Sequence, residues 1–95
     1  MNKTMAGIVL FNPDLERLNE NISAVITQVD NVLLVDNNSN NLEEIEKKFC
    51  KNEKISLLKN SSNLGIATAL AQIMEYASQQ QVDWVLTLDQ DSVCR

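Results

Sequence analysis

Four short apolar runs, at residues 5–11, 31–35, 55–59 and 82–88, constrain this chain more than any other feature of it. Each of the first three is followed by apolar residues at spacings of three and four, the signature of one buried face on a helix. After the first run the stripe is Leu15, Leu18, Ile22, Val25, Ile26 and Val29. After the second it is the narrower Leu42, Ile45 and Phe49, and after the third Ile66, Leu70, Ile73, Met74 and Ala77, with residues 79–81 closing that helix. Strands that alternate with helices of this length pair in parallel through right-handed crossovers. The expected fold is therefore α/β, a three-layer sandwich on a mostly parallel sheet, with all of residues 1–95 in one domain. Local signals refine the helix starts. Asn12 is placed to cap the first helix with Pro13 at its first position, and Asn41 to cap the second with Glu44 completing a capping box.

The alternation also decides where chemistry can sit. Polar clusters at 12–14, 36–41, 60–65 and 89–92 all follow the apolar runs, which puts them at the carboxyl ends of the strands. In open parallel sheets ligands bind outside that edge. Asp36 stands where an acidic residue commonly accepts from a ribose or base, with a turn or capping role as its plain alternative. Gly65, one of only two glycines, lies in a helix-opening turn where backbone could approach a phosphate or sugar.

Several classes are excluded. The formal charge of −5, with lysines and arginines scattered, gives no surface for a phosphate backbone, so nucleic acid is not an expected partner. The chain has no histidine, and its two cysteines, Cys50 and Cys94, are unpatterned, which removes the usual zinc arrangements and histidine-dependent catalysis. Both read as free thiols of a cytoplasmic protein. No apolar run reaches the ~18 residues of a membrane span, and the start does not resemble a signal peptide.

Asp89 and Asp91 form the sharpest chemical signal. Carboxylates at i and i+2 of a continuing strand point the same way and lie ~6 Å apart, repelling by about 3 kcal/mol at an effective dielectric of ~20. A divalent cation removes that repulsion. Hard oxygen ligands without cysteine or histidine favour Mg²⁺ or Mn²⁺, bound through one or two carboxylates and substrate phosphates. Taken alone, a short Asp-x-Asp is more often two solvated turn carboxylates; its place at the end of an apolar strand, on an edge shared with three polar loops, gives it weight.

In order, Gly7-Ile8-Val9-Leu10-Phe11-Asn12-Pro13, Val32-Leu33-Leu34-Val35-Asp36-Asn37-Asn38-Ser39, Asn63-Leu64-Gly65-Ile66-Ala67 and Asp83-Trp84-Val85-Leu86-Thr87-Leu88-Asp89-Gln90-Asp91-Ser92 resemble the amino-terminal half of family 2 glycosyltransferases. The Thr-Leu-Asp-Gln-Asp-Ser form is most similar to the rhamnosyltransferase branch. The resemblance covers essentially the whole chain. It implies a Rossmann-like GT-A fold and the donor-binding part of a larger transferase domain, serving cell-surface polysaccharide synthesis at or near the cytoplasmic membrane face. It also implies substrate-binding roles for Asn12, Pro13, Asp36, Asn38, Asn63, Gly65 and Asp89, with Asp89 and Asp91 holding a metal that grips the diphosphate. The donor would be a nucleoside diphosphate-sugar, dTDP-rhamnose by the branch, and the acceptor a glycan or lipid-linked sugar. Transfer in the family inverts the anomeric carbon, and the general base is an acidic residue well beyond Asp-x-Asp, past Arg95. These residues alone are thus expected to be inactive and, with apolar surface uncovered, to self-associate. One departure bears on the donor: after Ala69-Leu70 the branch has Asn and, two positions on, Gly, where this chain has Ala71 and Ile73.

Two rivals remain. Haloacid-dehalogenase-like phosphatases also end an apolar strand in Asp-x-Asp, which would make Asp89 the nucleophile and Asp91 the acid-base, but there the motif opens the core domain. A non-catalytic α/β binding module, of the receiver-domain kind, would want an acidic pair after the first strand, and Asn12-Pro13 stands there instead.

Overall fold

The computed structural model describes residues 3–89, the last of them through its backbone alone. Four strands and three helices alternate: β1 (Thr4–Leu10), α1 (Leu15–Val25), β2 (Asn31–Asp36), α2 (Leu42–Phe49), β3 (Ile55–Lys59), α3 (Ile66–Gln79) and β4 (Trp84–Asp89). All pairings are parallel and the strand order is β3-β2-β1-β4. The first two crossovers step outward from β1, and the third returns past it to place β4 on its other side. The order therefore reverses between β1 and β4, and in open α/β sheets the carboxyl ends of the strands at such a switch point are where ligands bind.

Each face of the sheet has its own core. Ala6, Ile8, Leu10, Val32, Leu34 and Ile55 meet Leu18, Ile22 and Val25 of α1 and Ile45 and Phe49 of α2. Met5, Leu33 and Val35 meet Ala69, Ile73 and Ala77 of α3. Burial on both faces explains why residues 32–35 are a continuous apolar run rather than an alternating one. The three-layer α/β/α architecture is as the alternation implied.

Local starts and stops differ from expectation in physically readable ways. α1 is capped by Asp14, whose Oδ1 accepts from the backbone N–H of Glu16 at 2.9 Å and of Arg17 at 3.2 Å. Pro13 is buried outside the helix, and Asn12, expected as the cap, adopts a left-handed φ of 46° that sends its side chain elsewhere. The helix ends at Val25, where β-branched Val25, Ile26 and Thr27 follow one another and weaken continuation. The Lys54 amine donates to the freed Ile26 carbonyl at 2.7 Å, while Ile26 and Val29 still pack on the core. At α2 the capping box with Glu44 does not form: Asn41 makes no side-chain cap bond, and its Nδ2 donates to the Pro13 carbonyl at 3.0 Å.

The largest correction concerns α3. Of the five residues expected to face inward, Ile73 and Ala77 are buried, but Ile66, Leu70 and Met74 are exposed by 56%, 36% and 55%, and Ala69 completes the buried stripe. The cause lies in β1. A Cβ on Gly7 would stand 2.6 Å from Ile73 Cγ2, so the missing side chain is the space that Ile73 occupies. Two alanines flank it and let the helix settle close. Ile73, a departure from the branch pattern, is thus the residue that fills the β1 gap.

Candidate functional site

Three described loops crowd the carboxyl edge, and hydrogen bonds lace each to the next. Loop 37–41 is bonded to both neighbours. Toward the β1 loop, Asn12 N–H donates to Ser39 Oγ at 2.8 Å, and Asn40 N–H donates to Asn12 Oδ1 at 2.7 Å. Asn41 adds its bond to Pro13, leaving its own Oδ1 buried without a partner. Toward the β3 loop, Asn60 Nδ2 donates to Asn37 Oδ1 at 2.9 Å, and Asn37 Nδ2 donates to the Gly65 carbonyl at 3.4 Å. Asparagines dominate because a short amide donates and accepts at once and tolerates left-handed backbone, as at Asn12 and at Asn38 with φ 69°.

Asp36 is fully buried beneath this lacing. Its Oδ2 accepts from Ser39 N–H at 2.9 Å and its Oδ1 from the Ser39 hydroxyl, which in turn accepts from Asn12. The turn role weighed for Asp36 is therefore present. Asn38 is exposed at the rim. Asn63 Oδ1 accepts from Gly65 N–H at 2.9 Å, closing the turn that opens α3.

Gly65 has φ 84° and ψ 166°, a region essentially reserved for glycine. Nothing lies within 4 Å of a Cβ added there, so backbone strain alone dictates the residue. Gly65→Ala should lower unfolding free energy by about 1–3 kcal/mol in chemical denaturation; a change within experimental error would show that this turn relaxes freely.

Register carries the end of β4 to the same edge. Leu10 pairs with Asp36, and Val9 with Asp89, so the backbones of Asp36 and Asp89 end level within one residue. They lie two strand spacings apart, about 10 Å. That is too far for one ion to bridge, and suits separate contacts along an extended ligand. Asp91 and the Asp89 side chain fall outside the described residues. Among the described residues no three acidic, cysteine or histidine side chains gather to hold a metal.

Sequence reasoning placed Asn12, Pro13, Asp36, Asn38, Asn63 and Gly65 at one edge, and there they are. It missed the contributions of Ser39, Asn37, Asn60 and Gln72 as the ties between loops. Lys59, bonded to Glu46 at 2.5 Å, is held above the usual lysine value by that bond and by the charge. The free, exposed Cys50 thiol is pushed up by partial desolvation and by Glu46, against a smaller lowering by Lys59.

A parallel sheet with helices on both faces and polar loops at the carboxyl ends of β1, β2 and β3 defines a Rossmann-like α/β domain. Residues 6–95 match the family described as Glycosyl transferase family 2, and the chain belongs to that family. It is similar to the dTDP-rhamnosyl transferase RfbF of Shigella flexneri, with 33% identity over 90 residues that make up 95% of this chain and 30% of the relative. The chain thus spans about three-tenths of the length of that relative.

Proposed function

We propose that these residues are the donor-binding part of an inverting, metal-dependent glycosyltransferase that takes rhamnose from dTDP-rhamnose and passes it to a glycan or lipid-linked acceptor. The observation that carries this reading is the convergence of the Asn12, Asp36 and Gly65 loops with the end of β4 at one sheet edge, within a chain of this family. The phosphatase alternative loses its ground with the family assignment, and Asp89 ends the fourth strand rather than opening a core.

In this reading the nucleoside lies over loops 12–14 and 37–41. Asp36, buried beneath these loops, serves the nucleoside by fixing the Ser39 turn against which it lies. The diphosphate reaches toward β4, where Asp89 and Asp91 offer the oxygen donors that suit Mg²⁺ or Mn²⁺. Such an ion, when bound, stabilises the charge that develops on the departing diphosphate. The acceptor hydroxyl attacks the anomeric carbon from the opposite side and gives its proton to a base that the reading places beyond these residues, so that the 95 residues alone turn nothing over. A cytoplasmic location follows from the donor. Among the described residues no helix is long and apolar enough to cross a membrane. Calorimetric titration of the chain with dTDP, with and without Mn²⁺, tests the reading. Cation-dependent binding is expected, and no binding under either condition refutes the donor assignment.

Self-association belongs to the same proposal. Among the described residues β4 is an edge strand, its Trp84 and Leu86 are exposed by 66% and 46%, and the stripe Ile66, Leu70 and Met74 lies uncovered on α3. No proline or charged residue interrupts β4 before Asp89, so its edge is unguarded. Light scattering should show mass rising with concentration; a strictly monomeric chain at all concentrations counts against it.

A further inference from the structure

Gln72 lies in the second turn of α3, outside every motif that pointed to the site, yet it heads a chain of amides that ends at the cleft. Asn60 Nδ2 donates to Gln72 Oε1 and Gln72 Nε2 donates to Asn60 Oδ1, each at 2.9 Å. This reciprocal pair orients the Asn60 amide. Its second Nδ2 hydrogen then goes to Asn37 Oδ1 at 2.9 Å, so Asn37 must turn its own Nδ2 to the Gly65 carbonyl. Asn60 is also held by its backbone, its N–H donating to the Asp36 carbonyl at 2.8 Å. Residues 61–68, by contrast, are all exposed and have no anchor in either core.

We infer that Gln72 is a positioning residue for the donor cleft: through Asn60 and Asn37 its amide holds the Gly65 turn against loop 37–41 in one arrangement. This rests on the donor-binding reading of the site. α3 itself does not depend on Gln72, because Ala69, Ile73 and Ala77 seat the helix on the sheet. Loss of the amide therefore frees the loop without unseating the helix. The partial burial of Gln72 fits this role, since a bond at a half-covered rim directs geometry more than it stabilises the fold.

The test compares the wild-type chain with Gln72→Met, which keeps the stem and removes both amide bonds, and Gln72→Glu, which keeps the acceptor and removes the donor. Affinity for dTDP in Mn²⁺ is read by calorimetry, and amide hydrogen exchange is followed at 61–65 with 73–77 as internal control. For Gln72→Met we expect about tenfold weaker binding and about tenfold faster exchange confined to 61–65, with Tm lowered by no more than about 8 °C. Gln72→Glu should weaken binding in the same direction. Affinities within twofold of wild type in both variants, or exchange that accelerates equally at 73–77, overturn the inference. A wild-type chain that binds no dTDP removes the donor reading and this inference with it, whereas binding lost only in the variants separates the two.

Discussion

An Asp89→Ala, Asp91→Ala double variant should lose the cation-dependent part of nucleoside diphosphate binding, a drop of about 100-fold or more in affinity measured in Mn²⁺. Two carboxylates ~6 Å apart repel by about 3 kcal/mol at an effective dielectric of ~20, and a shared cation turns that penalty into attraction. At about 1.4 kcal/mol per decade, relief of the repulsion alone reaches the stated range. No other group of three metal-ligating side chains gathers among the described residues, so nothing there offers a ready substitute. Without the cation, the variant should bind dTDP at least as tightly as wild type, because two carboxylates that repel the diphosphate are gone, which separates the metal from contacts made by loops 12–14 and 37–41. The double variant should also keep the wild-type circular dichroism spectrum, because Asp89 is the last residue of β4 and neither core cluster of the described residues includes it. Equal affinity of the two proteins in saturating Mn²⁺ would remove the metal assignment and leave the acidic pair as two solvated turn residues.

The second large effect is on stability. Gly7→Ala should lower unfolding free energy by about 1–3 kcal/mol, and Gly7→Val by more, because a Cβ at residue 7 would lie 2.6, 2.9 and 3.1 Å from Cγ2, Cδ1 and Cγ1 of Ile73. The two branches at the Ile73 Cβ are tied to the helix backbone and cannot swing away cheaply. For a chain of 95 residues, whose total stability is on the order of 5–14 kcal/mol, this is a large share. Tm should fall by about 5–20 °C for Gly7→Ala. Pairing Gly7→Ala with Ile73→Ala should recover part of the loss, since the smaller side chain vacates the contested space, and a double-mutant cycle would show coupling above about 0.5 kcal/mol. Strict additivity of the two changes would mean that the helix shifts instead of colliding.

Both predictions draw on what was legible in the amino-acid sequence to different degrees. The Asp-x-Asp pair and the four polar clusters could be read directly, because an apolar run that ends in charge marks the place where a strand leaves the core. The Gly7–Ile73 contact could not be read. Glycine in β1 and an apolar stripe on α3 are separate features until the crossover brings them together, and only then does the missing side chain become a socket.

The same limit explains why the expected inward stripe of α3 combined buried and exposed positions. Ile66, Leu70 and Met74 repeat every four residues, and so do Ala69, Ile73 and Ala77. Periodicity identifies a helix with a broad apolar surface, but gives no ground for separating Ile73 and Ala77 from the bulkier residues beside them. Close approach to β1 selects Ile73 and its flanking alanines, which leaves Ile66, Leu70 and Met74 exposed. The caps tell a similar story. Asn12 and Asn41 have the right chemistry for helix starts, but each finds a partner in the neighbouring loop, at Asn40 and Pro13 respectively, while Asp14 is left to cap α1.

The order of apolar and polar stretches by itself determined the strand and helix content, parallel pairing and the gathering of polar loops at one edge, because these follow from periodicity and crossover handedness along the chain. Tertiary structure decided the strand order that puts β4 beside β1, the stripe of α3 that is buried, and the amides that join one loop to the next. Each of those depends on residues distant in sequence competing for the same space or the same hydrogen bond, a contest that local spacing does not record.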